Sequence, residues 1–187
     1  MKLYVIRHGE SQSNFCGTWT GWRDVPLTEK GREQARQVGK LLADIPFDRV
    51  YASDLSRAVD TAREALPGRE IVTSARLRET NVGNLMGRPY DCLTPEERAQ
   101  TALEGFSAFD GESRVEFYGR IREFLTELED AGLEHVAVFS HGGWLKGALN
   151  TVLETTLQAK HLRCGNCTLG IFAYSGGIWA LHSWINL

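Results

Sequence analysis

The apolar positions of this chain form short runs that alternate with helical stripes. Residues 2–6 are almost continuously apolar, which predicts a short strand covered on both faces, and the run stops at Arg7-His8-Gly9-Glu10. Residues 11–27 follow no period and read as irregular. A helix is predicted from about Thr28, which suits an N-cap, with Ala35, Val38, Leu41 and Leu42 as its stripe. Residues 49–52 give a second strand. Ser53 is then expected to cap a helix faced by Leu55, Ala58, Val59, Ala62 and Leu66, which Pro67-Gly68 ends. Residues 71–73 give a third strand. From 77 to 111 the pattern is weak, with Gly83, Gly87 and Pro89 and a short helix opened by Thr94-Pro95; this stretch is expected to be a cap or lid over one end of the sheet. A long helix over 112–131 carries Val115, Tyr118, Ile121, Leu125 and Leu128, and Gly132 stops it. Residues 136–139 form the fourth strand and 144–153 a helix. Two final strands, 168–174 and 178–184, meet at Ser175-Gly176-Gly177, a spacing that suits a hairpin.

Strands that alternate with helices predict an α/β fold: a three-layer sandwich whose mostly parallel, mixed sheet carries helices on both faces. At 187 residues the chain is long enough for one domain with a sizeable core. In such sheets ligands bind beyond the carboxyl ends of the strands.

Composition narrows the function. A net charge of -3 argues against a general nucleic-acid surface, so any anion site has to be built locally. The longest apolar runs are strand-sized, well short of the ~20 residues of a membrane span. Arg7, His8 and Glu10 interrupt the first run too early for a signal peptide, and a cytoplasmic address is the default expectation. The four cysteines are Cys16, Cys92, Cys164 and Cys167. The pair in Cys164-Gly165-Asn166-Cys167 could be half a zinc site or a redox pair. No second CxxC or close His pair completes a zinc site, and a strand rather than a helix follows, so these read as ordinary thiols.

The candidate chemistry lies at the strand ends. Strand one ends in Arg7-His8, strand two leads to Arg57 in the first turn of its helix, and strand four ends in Ser140-His141. All three fall on one rim of a parallel sheet. Two imidazoles and two guanidiniums on one rim describe an anion site, because Arg binds two phosphate oxygens through its planar fork. Gly9 and Gly142 are expected to leave room for an oxyanion. A neutral His ring among such groups can attack phosphorus. A leaving alkoxide then needs a proton from a carboxylic acid, and Glu79 is the best-placed candidate. Taken singly, each residue has an ordinary structural explanation: His8 a strand-end ring on backbone, Arg57 a surface helix residue, Glu79 a solvated loop acid, His141 a helix cap. Their coincidence on one rim favours chemistry.

The run Arg7-His8-Gly9-Glu10-Ser11-Gln12-Ser13-Asn14 resembles the signature of the histidine phosphatase superfamily, in the branch that holds phosphoglycerate mutases and small bacterial phosphatases. Three further segments resemble that branch in order and spacing. They are Thr20-Gly21-Trp22 with Pro26-Leu27-Thr28-Glu29-Lys30-Gly31, then Ser53-Asp54-Leu55-Ser56-Arg57-Ala58 with Thr61-Ala62, and Ser140-His141-Gly142-Gly143. The resemblance spans nearly the whole chain. It implies a phosphoglycerate mutase-like fold, with His8 as the phosphorylated nucleophile, Arg7, Arg57 and His141 completing the phosphate pocket, and Glu79 as the acid. It implies phosphate or substrate contacts from Asn14, Thr20, Gly21 and the Gly142 backbone. It implies no cofactor and no metal, and a small phosphate ester as the partner; a homodimer stays open.

Mutases of this branch carry an Arg-His-Tyr-Gly run after the acid and then a long basic insertion. Here Glu79 is followed by Thr80-Asn81-Val82-Gly83, and from 80 to 109 only Arg88 and Arg98 are basic. Hydrolysis is therefore favoured over a primer-dependent mutase. A catalytically inactive phospho-ligand binding module is the other alternative, although it would be expected to lack the nucleophile or the acid. Chain size and the Gly111-Glu112-Ser113 start of the long helix resemble the alpha-ribazole phosphatase-like group. Trp19, Trp22, Tyr90, Phe106 and Phe109 suit either an aromatic wall for the leaving group or the core of the cap.

Overall fold

The computed structural model describes residues 1–157 and 162–187. Its sheet has six strands: β1 (Lys2–Arg7), β2 (Arg49–Ser53), β3 (Val72–Ser74), β4 (His135–Ser140), β5 (Leu169–Ser175) and β6 (Ile178–Ile185). They lie in the order β3-β2-β4-β1-β5-β6. The first four run parallel; β5 and β6 are antiparallel. The helices are α1 (Gln12–Phe15), α2 (Glu29–Leu42), α3 (Ser56–Ala65), α4 (Pro95–Glu104), α5 (Arg114–Glu129) and α6 (Gly142–Val152).

The unbroken apolar run of β1 conceals a period of two. Leu3 and Val5 point into a core with Ile121 and Phe124 of α5 and Trp144 and Leu145 of α6. Tyr4 and Ile6 point the other way, onto Val38 and Leu42 of α2 and Ala62 of α3. β4 divides likewise, with Val136 and Val138 on one face and Ala137 and Phe139 on the other. A strand clothed on both faces has no polar side to show. The hairpin turn is two residues long, and Gly176 and Gly177 both take positive φ (59° and 80°), as a turn matched to strand twist requires.

Several local expectations shift. Ser53 belongs to β2, and α3 starts behind Leu55, which makes no side-chain cap; the Ser53 hydroxyl instead accepts from the Leu55 N–H. Leu41 is 49% exposed. Gly39 takes its place at the α2–α3 contact, where a Cβ would lie 2.5 Å from the Ala65 carbonyl. α5 begins two residues late because Ser113 and Glu116 form a capping box. Val115, in the first turn, is 83% exposed, whereas Phe117 and Phe124 join Ile121, Leu125 and Leu128 on the buried face. Residues 12–15, read as irregular, are a single helical turn boxed by Ser11 and Asn14.

Between β3 and α5 the chain makes an excursion of 3-10 turns and α4. Its own small core holds Val82, Leu85 and Leu93 with Trp19, Phe106 and Phe109 packed on it. It is joined to the stretch after β1 through Trp19 N–H to the Arg88 carbonyl (2.9 Å) and Gly87 N–H to the Trp19 carbonyl (2.7 Å). Among the described residues no helix is long and apolar enough to cross a membrane.

Candidate active site

Register alone brings the two imidazoles together. β1 pairs with β4 so that Arg7 lies opposite Ser140, and the next residue on each strand is a histidine. The His8 N–H donates to the Ser140 carbonyl at 2.8 Å, and the two rings stand 5.1 Å apart at 66°. β2 pairs with β4 so that Ala52 lies opposite Phe139, and its chain turns into α3 on the same rim. Arg57, in the first turn, therefore reaches inward: its Nε lies 3.3 Å from His8 Nε2. Its other nitrogens donate to the carbonyls of Gly21 (2.9 Å) and Arg23 (3.0 Å). Gly21 thus meets the site by orienting Arg57, while the Thr20 carbonyl accepts from the Arg23 N–H (3.0 Å) and closes that turn.

His8, Arg57 and His141 are 4%, 1% and 0% exposed. Burial, then the charges of Arg57 and Arg7, holds His8 well below the usual histidine range. Burial does the same to His141, followed by Arg57 and His8. Burial also lowers Arg57 to about 10, which still leaves it charged at neutral pH. The site is therefore two neutral rings among cations. Both ring nitrogens of His141 and the Nε of Arg7 are buried without a hydrogen-bond partner. Unpaired buried donors are costly and call for an occupant that accepts from them.

The two glycines after His141 leave room for side chains of the protein itself. A Cβ on Gly142 would press on Arg7, 3.2 Å from its Nε. A Cβ on Gly143 would lie 2.1 Å from Glu79 Oε1. Their absence lets Arg7 lie against the start of α6 and lets Glu79 Oε2 accept the Gly143 N–H at 3.0 Å. Glu79 Oε1 accepts from its neighbour Thr80 N–H at 2.9 Å. Gly9, likewise, makes room for backbone: a Cβ there would sit 2.2 Å from the Gly31 carbonyl. Its N–H is held by Thr61 Oγ1 at 3.0 Å, and that hydroxyl donates to the Arg57 carbonyl at 2.6 Å.

Asn14 lies in α1, just after β1. Its Oδ1 accepts from the Ser11 N–H and hydroxyl (3.2 and 3.1 Å), and its Nδ2 reaches the Tyr90 hydroxyl at 3.4 Å. The five aromatic candidates divide. Trp19, Phe106 and Phe109 belong to the excursion's core, whereas Trp22 and Tyr90 remain exposed, Trp22 beneath the guanidinium of Arg78 at 4.9 Å.

Arg120 is an organiser that periodicity does not reveal. It forks onto Glu112 (2.6 and 2.9 Å) and donates to the carbonyls of Arg76, Arg78 and Glu79 (2.8, 2.7 and 2.9 Å). Trp144 Nε1 adds a bond to the Arg76 carbonyl (3.0 Å), and the Ser140 hydroxyl one to the Leu77 carbonyl (2.7 Å). The backbone that presents Glu79 is thereby fixed. The only forecast in the sequence would have been a charged pair eight residues apart near a helix start, which is a weak signal. Among the described residues no three His, Cys, Asp or Glu side chains cluster as metal ligands would.

A mixed sheet with two histidines and two arginines at its carboxyl rim is the architecture of one phosphoryl-transfer class, and the chain belongs to it: residues 3–187 match the histidine phosphatase superfamily (branch 1). It is 35% identical over 195 residues to a Yersinia pestis protein named "Probable phosphoglycerate mutase GpmB", covering 99% of this chain and 90% of that one. The alpha-ribazole phosphatase from Shigella flexneri superposes with a TM-score of 0.87 at 27% identity, over 98% of this chain and 96% of the other. A phosphoserine phosphatase from Entamoeba histolytica, solved as a mutant with phosphoserine, gives 0.84 at 27% identity, over 98% and 95%.

Proposed function

We propose that this protein is a phosphomonoesterase that hydrolyses a small phosphorylated metabolite through a phosphohistidine on His8. The observation that carries the reading is the 2.6 Å hydrogen bond between His8 Nδ1 and the Gly9 carbonyl. A carbonyl oxygen only accepts, so Nδ1 bears the ring's proton and the lone pair lies on Nε2. That lone pair is the atom beside Arg57 Nε. His8 Nε2 attacks phosphorus while the bond to the leaving oxygen breaks. Arg7, Arg57, His141 and the amide of Asn14 take up the charge on the other phosphoryl oxygens. Glu79 gives its proton to the leaving alkoxide. It then takes one from a water, whose oxygen displaces Nε2 and frees inorganic phosphate.

The excursion over residues 77–111 acts as the cap that selects the leaving group, with Trp22 and Tyr90 at its margin. Hydrolysis is favoured over mutase chemistry by the cap's charge. From Thr80 to Phe109 its basic residues are Arg88 and Arg98; Arg98 is spent on the Tyr90 carbonyl (3.0 Å), and Arg78, at the start of the cap, is paired with Asp54. The mutase reading draws on the Yersinia relative; the alpha-ribazole-like reading draws on the Shigella enzyme.

Phosphate release from p-nitrophenyl phosphate in the presence of a chelator tests the class. Turnover without a bisphosphoglycerate primer supports the phosphatase, and strict dependence on the primer supports the mutase. A binding module would release nothing. A screen of phosphorylated metabolites including alpha-ribazole phosphate and phosphoserine then ranks substrates.

A further inference from the structure

The CxxC segment has a use that involves neither thiol. Burial raises the thiol of Cys164 and pushes that of Cys167 up to about 12, so neither is a ready thiolate. The segment instead meets the end of β1 at several points. An Arg7 guanidinium nitrogen donates to the Cys164 carbonyl at 2.5 Å, and the Arg7 N–H donates to the Thr168 carbonyl at 3.0 Å. The His8 carbonyl accepts from the Cys167 N–H at 3.3 Å and from Asn166 Nδ2 at 3.2 Å. Cys167 holds φ at +57°, a conformation that a non-glycine residue keeps only where its surroundings impose it.

Asn166 makes the more informative contacts. Its Nδ2 also donates to Asn14 Oδ1 at 3.1 Å. A side-chain amide nitrogen carries two hydrogens, and here each faces an oxygen. Two acceptors opposite one end of the side chain identify that end as the NH2. The same contact decides the orientation of Asn14. Its Oδ1 is occupied by Asn166, the Ser11 N–H and the Ser11 hydroxyl, so its own NH2, one hydrogen of which faces the Tyr90 hydroxyl at 3.4 Å, is the end that can donate to an anion.

We propose that Asn166 is a positioning residue for the phosphate pocket: it turns the amide of Asn14 so that its NH2 faces the phosphoryl oxygens, and it pins the carbonyl of His8. The proposal rests on the phosphohistidine reading. An aspartate at 166 would set a carboxylate against two acceptors, and an alanine would free both.

The test is a cycle of N14A, N166A and the double variant, read as kcat and KM for p-nitrophenyl phosphate, Ki for inorganic phosphate, and melting temperature. N166A is expected to lower kcat/KM and raise Ki for phosphate about 10- to 100-fold, the usual cost of losing a residue that orients a ligand group. In the N14A background the same substitution should cost less than about threefold, since groups acting as one unit are not additive. A folding defect alone would move the melting temperature and leave Ki for phosphate on the folded fraction unchanged. Full additivity, or an N166A variant within about twofold of the parent, overturns the proposal. If N166A does not fold, N166S, with a single donor that cannot bridge both oxygens, carries the same comparison. H8A separates the two levels. If it keeps turnover, the phosphohistidine reading falls and this proposal falls with it. If it abolishes turnover while N166A is silent, only the role of Asn166 falls.

Discussion

The sheet rim and the excursion between β3 and α5 are built on different physical terms. At the rim, ladder pairing sets side-chain positions: His8 and His141 are neighbours because Arg7 and Ser140 are paired. Their surroundings are sealed, with Arg57 and both rings almost wholly buried. The excursion rests on a small apolar cluster, and its helix α4 buries no residue. A buried strand end cannot change without disturbing the core. An exposed helix over a small cluster can change freely. On the proposed function, the division separates chemistry from selectivity: the rim would handle the phosphoryl group common to all substrates, and the excursion what the phosphate is attached to.

The sharpest way to break that contrast is at the rim. H8A is expected to lower kcat on every phosphate ester by about 10⁴-fold or more, measured as phosphate release. E79Q should lower kcat about 10²- to 10⁴-fold on alkyl phosphates and much less on p-nitrophenyl phosphate, whose leaving group needs no proton. Equal slowing of both would remove Glu79 from the acid role. R120A removes the cation that faces Glu112 under the Glu79 segment and should cost about 3–5 kcal/mol of stability, visible as a lower urea midpoint.

Acid provides a graded test of the same rim. Both rings are held well below the ordinary value of 6.5, first by burial. Below that pH the unfolded chain protonates them while the native chain does not, so the unfolded state binds more protons and stability falls as pH drops. Each ring should contribute a slope of about 1.4 kcal/mol per pH unit. H141Q should flatten the fall in the unfolding free energy of the ligand-free protein between pH 6.5 and 5; an unchanged slope would mean that the ring titrates normally. The smallest effect belongs to the excursion. Y90F should change kcat/KM for p-nitrophenyl phosphate by less than about threefold, as exposed positions usually do, while altering the ranking of larger substrates.

The legible part of this molecule follows the same division. Arg7, His8 and His141 were readable because each lies at or just past the end of an apolar run, and strand ends share a rim. Glu79 was named from its place after the third strand and from the need for an acid, since no period marks it, and the family resemblance agreed with that choice. Leu41 and Val115 were misassigned because an apolar residue can fall outside its helix's buried face: Gly39 makes the α2–α3 contact in place of Leu41, and Val115 lies exposed in the first turn of α5. Gly9 and Gly142 were read as space for an oxyanion; the sequence did not show that a Cβ on Gly9 would meet the Gly31 carbonyl and one on Gly142 the Arg7 side chain. Arg120 and Asn166 were missed because they act on carbonyl groups brought near by the fold, and backbone acceptors leave no mark in a sequence.

The most direct test is rapid quenching of the protein with radiolabelled phosphate ester, followed by mapping of the label. The account predicts an acid-labile, base-stable phosphoryl group on the peptide that contains His8, formed at least as fast as turnover and absent from H8A. Steady turnover with no trapped label, or label on any other residue, would contradict it.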